Sequence, residues 1–396
     1  MKKEKVLIVG AGFAGIKAAL ELCQDSRFDV TVLSDQEEFR YYPTLYHAAT
    51  GGLRANATIP LSTLFKDLPI TFVKDSALSL DTKAKIVKTT GQQSITYETI
   101  ILALGVVTNY FGIPGLQEYA YGIKSIEEAE RFKAHIHKQL IDEHHPDMHY
   151  VIVGAGPTGI ELAGVLPSYL RRIMENHGIA NKNIHIDLIE AAPRLLPRLP
   201  QDASRMVERQ LKRLGIKLYL GKTVQAETAD ELLVSGKPIR SHTVIWTAGV
   251  TNHPFFKDNG FVLTKRGKVA VDTYLQAEDN VFVLGDNANT PYSGMAQTAI
   301  LDGDFVAHNL KRRADGKEFK SYLAIKPVTV IPAGEKWAAV IWNKLRIYGW
   351  LGWALRSAAD LKGFHDYESW TKATRQWLTE YGTEENCTVC AAAAIQ

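Results

Sequence analysis

The sequence predicts an α/β protein whose parallel, doubly wound sheets are built on the same unit used twice, and three observations carry that prediction. Gly10-Ala11-Gly12-Phe13-Ala14-Gly15 follows the apolar run Lys5-Val6-Leu7-Ile8-Val9, which reads as a buried parallel strand. Gly154-Ala155-Gly156-Pro157-Thr158-Gly159 follows Tyr150-Val151-Ile152-Val153 in the same way. Each glycine set then opens a helix, Ile16-Lys17-Ala18-Ala19-Leu20 in the first copy and Ile160-Glu161-Leu162-Ala163 in the second, and the copies lie about one domain length apart.

Each glycine has a separate task. The first makes the tight turn, the second lets the backbone approach a pyrophosphate, and the third lets helix and strand pack closely. The N–H groups at the helix N-terminus then hold the phosphate charge. A single turn of this kind often serves packing alone. Two of them in βαβ settings point to two dinucleotides in one chain, and hence to electron transfer between them.

Composition agrees. The 396 residues suit two to three domains, and a formal charge of +3 without a basic, aromatic-interleaved stripe argues against a nucleic-acid partner. Met1-Lys2-Lys3-Glu4-Lys5 runs into the first strand without a secretory apolar stretch, so a cytoplasmic start is expected. No run of about eighteen apolar residues predicts a membrane-spanning helix.

The C-terminal region differs from the rest. Trp337, Trp342, Trp350, Trp353, Trp370 and Trp377 are six of the seven tryptophans, and residues 311–378 carry thirteen Lys and Arg against six Asp and Glu. Ile347, Trp350, Leu351, Ala354, Leu355 and Ala358 share one helical face, and Trp370, Ala373, Trp377, Leu378 and Tyr381 repeat the spacing. Tryptophan and basic residues on amphipathic helices favour a membrane interface; packing on the protein's own surface or at a homodimer interface is the alternative.

Further punctuation lies between these features. Thr99-Ile100-Ile101-Leu102-Ala103-Leu104-Gly105 is a buried strand ending in glycine, and Asn109-Tyr110-Phe111-Gly112-Ile113-Pro114-Gly115 is a turn-rich exit from it. Thr243-Val244-Ile245-Trp246-Thr247-Ala248-Gly249 repeats the pattern. Asn280-Val281-Phe282-Val283-Leu284-Gly285-Asp286 places Gly-Asp at a strand end, where open α/β sheets bind ligands.

In this order the phrases resemble the two-dinucleotide-binding-domain flavoproteins of the pyridine nucleotide–disulfide reductase superfamily, and within it the type II NADH:quinone oxidoreductases, over residues 5 to about 360. The resemblance implies FAD at Gly10, Gly12, Gly15, Gly105 and Asp286, and NADH at Gly154, Gly156, Gly159 and Gly249. It also implies a discontinuous FAD domain (1–115 and 245–325), an inserted NADH domain (116–244) and a C-terminal membrane-associating or dimerising region (326–396). Four local matches support the subfamily. Phe39-Arg40-Tyr41-Tyr42-Pro43-Thr44-Leu45-Tyr46 with Ala49-Thr50-Gly51 is similar to its aromatic segment near the flavin; Glu190-Ala191-Ala192-Pro193-Arg194-Leu195-Leu196-Pro197 to its second-domain acidic position; Ala296-Gln297-Thr298-Ala299 to its quinone-site motif; and Tyr348-Gly349-Trp350-Leu351-Gly352-Trp353 to the start of its membrane-anchoring tail.

A strand-end carboxylate accepts hydrogen bonds from an adenosine ribose and repels a 2′-phosphate, so Glu190 favours NADH over NADPH. In the first copy Ser34 occupies that slot and Asp35 comes one residue later, so the FAD ribose contact stays open between them. Glu161, just past the third glycine of the second copy, matches a family glutamate near nicotinamide and flavin, in a positioning or proton-handling role; its alternative is a plain helix-start charge. Gln297 offers an amide to the flavin edge or to a quinone. The chain departs from the family at the quinone end: Leu301 replaces a second glutamine, and Ser293-Gly294-Met295 lacks the usual prolines.

The cysteines are Cys23, Cys387 and Cys390, so no thiol pair lies beside the flavin as in disulfide or sulfide reductases. Zinc is unsupported, no metal is expected, and Cys387 and Cys390 read as incidental thiols of a terminal tail or a mobile redox pair. The expectation is a peripheral membrane flavoenzyme on the cytoplasmic face, passing electrons from NADH through FAD to a membrane quinone without pumping protons. A soluble NADH reductase serving a ferredoxin-like protein or oxygen, and a flavin-bearing redox sensor, are the alternatives.

Overall fold

The fold was obtained as a computed structural model that describes residues 2–52, 54, 57–143, 145–179, 184–367 and 370–380. Tyr381, Cys387 and Cys390 lie outside the described residues. In chain order, the elements around the two glycine turns are β1 (Glu4–Val9), α1 (Phe13–Leu22), β2 (Phe28–Ser34), β3 (Ile70–Lys74), β4 (Thr99–Leu102), β5 (Tyr121–Gly122), β6 (His149–Val153), α2 (Pro157–Asn176), β7 (His185–Glu190), β8 (Lys217–Leu220) and β9 (Thr243–Trp246). They continue with β10 (Gln276–Glu278), β11 (Val281–Val283), α3 (Ala296–Ala314), β12 (Thr329–Pro332), β13 (Ala338–Trp342), β14 (Leu345–Gly349), α4 (Trp350–His365) and α5 (Trp370–Glu380).

The chain forms two compact units. One unit draws on Met1–Arg40, Thr58–Val107 and Val250–Pro327. Its six-stranded sheet runs β10-β11-β4-β1-β2-β3, with β1 parallel to β2 (Val6 opposite Val30) and to β4 (Val6 opposite Thr99). Val6, Leu7, Ile8 and Val9 are all buried, as a strand covered on both faces requires. Leu7, Val9, Leu33, Ile100, Leu102, Val281 and Val283 join one apolar cluster.

The other unit draws on Tyr41–Ala57, Thr108–Gly249 and Val328–Gln396, so the aromatic segment from Tyr41 onward and the C-terminal elements group with the second glycine turn, while Phe39 and Arg40 stay with the first. Its five-stranded sheet runs β5-β9-β6-β7-β8, with His149 opposite His185 and Tyr150 opposite Thr243. The two sheets thus repeat one plan: the strand before the glycine turn lies between the strand that follows the first helix and a strand that stops three residues before Gly105 in one sheet and Gly249 in the other.

The antiparallel sheet β12-β13-β14 precedes α4. A Cβ on Gly352 would come within 2.2 Å of the Ala338 carbonyl, so only glycine lets α4 lie this close to β13. Helix α4 buries Gly352, Ser357, Asp360 and Phe364, and leaves Trp350, Leu351 and Leu355 exposed. The apolar face expected from the sequence therefore points outward, while Asp360, expected on the solvated side, is buried with Phe364 on the inward side. Helix α5 corrects the expectation of one shared face. Ala373 is buried and the Trp377 indole donates to the Ser357 carbonyl at 2.9 Å, whereas Trp370 stacks on His365 and Leu378 is exposed.

Candidate active site

The first turn is shaped by what a side chain would strike. Gly10 has φ +104°, and a Cβ there would stand 2.3 Å from the Ala103 carbonyl oxygen; one on Gly15 would stand 2.0 Å from the Gly10 oxygen. A Cβ on Gly12 would meet nothing within 4 Å. Gly12 caps α1 with extended backbone, and no side chain caps the helix. A clear approach to uncapped helix amides is the donor set a pyrophosphate needs.

At the end of β2, Ser34 is buried with its hydroxyl accepting the Gln36 amide at 3.1 Å, and Asp35 is exposed. Gly105 is held by Asn287, a residue the sequence reading passed over. The Gly105 amide donates to Asn287 Oδ1 at 2.9 Å, and Asn287 Nδ2 donates to the Gly105 carbonyl at 2.5 Å and to Asn252 Oδ1 at 2.6 Å. Asp286 sits half-buried in the turn after β11. Ala296 and Gln297 form the first turn of α3, with Gln297 exposed.

The second turn repeats the first almost contact for contact. Gly154 has φ +107°, and a Cβ there would stand 2.6 Å from Ala248 Cα; one on Gly159 would stand 1.9 Å from the Gly154 oxygen; one on Gly156 would meet nothing within 4 Å. Glu190 ends β7, its Oε2 accepting the Ala155 amide and its Oε1 the Ala192 amide, both at 2.8 Å. Gly249 accepts the Asn109 amide at 3.1 Å, and a Cβ on it would strike the Phe111 ring.

Glu161, in the first turns of α2, is half-buried, and burial pushes its carboxyl up to about 8. Arg356 opposes that rise and Asp360 adds to it. Those two residues pair on the inward face of α4, where Arg356 also donates to the Pro43 carbonyl at 3.0 Å and the Tyr41 hydroxyl to Asp360 Oδ1 at 3.3 Å. Burial and the Arg356 charge push the His47 imidazole down to about 4, so it is neutral at physiological pH. The aromatic segment, the second glycine helix and α4 thus share one polar cluster within one unit. The sequence signal for it was weak, because Arg356 and Asp360 read as the solvated side of an amphipathic helix.

Among the described residues no group of His, Cys, Asp and Glu could hold a metal, and no helix is long and apolar enough to cross a membrane. Cys23 is buried beside the end of α1.

This chain is 25% identical over 356 residues to the type II NADH:quinone oxidoreductase of Staphylococcus haemolyticus and 26% identical to that of Staphylococcus aureus, matches that cover 84% of this chain and 88% of each relative. Its fold is similar to that of NDH2 from Plasmodium falciparum in complex with NADH, with TM-score 0.86 and 16% identity over 96% of this chain and 98% of that one. The sulfide:quinone oxidoreductase from Aquifex aeolicus follows with TM-score 0.77, 19% identity and coverage of 94% and 92%. The family model for pyridine nucleotide-disulphide oxidoreductases matches residues 4–303, and with both glycine turns and their strands inside that span, the chain belongs to this family.

Proposed function

We propose that this chain is an FAD-dependent NADH:quinone oxidoreductase that pumps no protons and works at the cytoplasmic face of a membrane. The observation that carries the reading is the doubled glycine turn, each copy open at its second glycine and sterically closed at its first and third. The relatives' names supply the electron acceptor.

FAD, when bound, supplies the two-electron chemistry that accepts a hydride from NADH and reduces a quinone. The chain's residues provide the rest. Gly10, Gly12 and Gly15 shape the FAD pyrophosphate site, and the Asp286 turn together with Ser34 or Asp35 meets its sugars. Gly154, Gly156 and Gly159 do the same for NADH, and Glu190 presents acceptor lone pairs to its ribose. Gln297 directs an amide toward flavin or quinone. Glu161 holds a proton at neutral pH, because charging it would require a poorly solvated carboxylate. Quinone reduction consumes protons, and a carboxyl poised near the working pH is suited to deliver one.

The outward face of α4 gives the membrane its contact. Trp350, Leu351 and Leu355 are exposed there, as are Trp342 and Leu345 where β13 turns into β14, with Lys344 between them. Tryptophan at headgroup depth with cations beside it matches an anionic lipid surface.

Stopped-flow spectroscopy tests the reading. Flavin bleaching by NADH followed by rapid reoxidation with menadione or a ubiquinone analogue is the expected sequence. Bleaching without quinone-dependent reoxidation sinks the quinone assignment, and no bleaching at all sinks the NADH assignment.

A further inference from the structure

The turn that carries Asp286 is gripped through its own backbone. The Gly285 amide donates to Asp302 Oδ2 at 3.0 Å, the Gly285 carbonyl accepts the Ser293 hydroxyl at 2.9 Å, and the Asp286 carbonyl accepts Lys268 Nζ at 2.7 Å. A second layer fixes those three groups. The Tyr322 hydroxyl donates to Asp302 Oδ1 at 2.6 Å, and Lys268 Nζ also donates to Ser293 Oγ at 2.7 Å. Three of the four backbone polar groups of Gly285 and Asp286 are therefore taken by side chains from three separate stretches of one unit, while Asp286 itself stays half-buried.

The arrangement is costly. Asp302 is fully buried, and burial together with the Asp286 charge lifts its carboxyl to about 6, against Tyr322, Gly285 and Lys268 acting the other way. A carboxylate placed where it is desolvated lowers the stability of the fold unless it holds something that matters. Gly285 itself has φ +63°, a left-handed conformation that the three contacts pin in place. None of these groups lies in the glycine turn.

We propose that Asp302, Ser293, Lys268 and Tyr322 are positioning residues for the flavin, a clamp that presets the Gly285-Asp286 turn so that FAD binding does not have to order it. This rests on the reading of the first glycine turn as an FAD site. Preorganisation of this kind acts on affinity, because the cost of fixing the turn is met during folding instead of during binding.

The experiment is FAD titration of apoprotein, followed by quenching of flavin fluorescence, alongside thermal unfolding of the same apoprotein. Tyr322→Phe removes one hydroxyl from the second layer, Ser293→Ala removes one contact to the turn, and Asp302→Asn keeps an acceptor in place. Tyr322→Phe, which loses one hydrogen bond, and Ser293→Ala, which loses its bond to Gly285 and the one from Lys268, should each raise the FAD Kd by about tenfold or more and leave the apoprotein Tm within about 2 °C of wild type. Asp302→Asn should restore much of the affinity lost in Asp302→Ala. A Kd within about twofold of wild type in both single variants overturns the clamp. So does a Tm that falls in step with affinity, which marks a structural role only. Wild-type apoprotein that takes up no FAD overturns the flavin reading itself, a different and distinguishable failure.

Discussion

Glu190 closes the second glycine turn on Ala155: its Oε2 accepts the Ala155 amide at 2.8 Å, so the residue proposed to meet the ribose also ties the turn to the end of β7. Substitution therefore has two effects. Glu190→Ala should raise the KM for NADH by about tenfold or more, through both a lost ribose acceptor and a loosened turn. Glu190→Gln, which retains one acceptor oxygen and no charge, should lose less affinity for NADH and gain relative activity with NADPH. Steady-state kinetics with both nucleotides decide it; unchanged nucleotide preference in the Gln variant would remove Glu190 from the site.

The Glu161 carboxyl, raised to about 8 chiefly by burial, gives a signed pH prediction. Below that value it is protonated and can donate; above it the donor is lost. Flavin reoxidation by quinone should decline above pH 8, by up to about tenfold per unit. Glu161→Gln should slow reoxidation by about 10²-fold, flatten the alkaline limb and leave flavin reduction by NADH largely intact. A retained alkaline limb in that variant would assign the titration to another group.

The glycines separate folding from binding. A methyl group on Gly15 would overlap the Gly10 carbonyl, so Gly15→Ala should cost about 3 kcal/mol or more in apoprotein stability. Gly12 has room on every side and φ −87°, so Gly12→Ala should fold normally yet bind FAD far more weakly. Denaturant unfolding and FAD titration on the two variants read the contrast directly.

Glu227 is buried, its Oε2 has no hydrogen-bond partner among the described residues, and burial alone lifts its carboxyl to about 8. The folded state then holds a proton that the unfolded state releases near pH 4.5. Its stabilising contribution is full below the unfolded value and is lost as pH rises toward 8. Glu227→Gln should remove that slope and stabilise the protein at pH 8 by about 1–3 kcal/mol, measured by denaturant unfolding across pH 4 to 9.

If α4 meets a membrane as proposed, that contact should depend on three outward side chains. Trp350→Ser, Leu351→Ser and Leu355→Ser together should reduce co-sedimentation with anionic vesicles by about tenfold, since each buries apolar surface only when lipid covers it. NADH reduction of the flavin should persist. Undiminished co-sedimentation would place the contact elsewhere.

Much of the fold was legible because its signals are local. A glycine turn between an apolar run and a helix occupies about fifteen consecutive residues, and both copies lie where the pattern put them, as do the strands Thr99–Leu102 and Thr243–Trp246, which stop three residues short of Gly105 and Gly249. Long-range pairing was not legible. Asn287 holding Gly105, Asp302 holding Gly285 and Arg356 with Asp360 near Glu161 join residues far apart in sequence, and each alone reads as an ordinary polar residue. The orientation of α4 was half legible: periodicity identified the two faces, but only the packing of Gly352 on Ala338 shows which one turns inward.

On the membrane reading, that outward leucine face also changes how the reaction must be counted. A quinone met at a lipid surface has a concentration per lipid and not per litre. Adding inert phospholipid at constant total quinone should then slow turnover by surface dilution, although nothing in the bulk solution has changed.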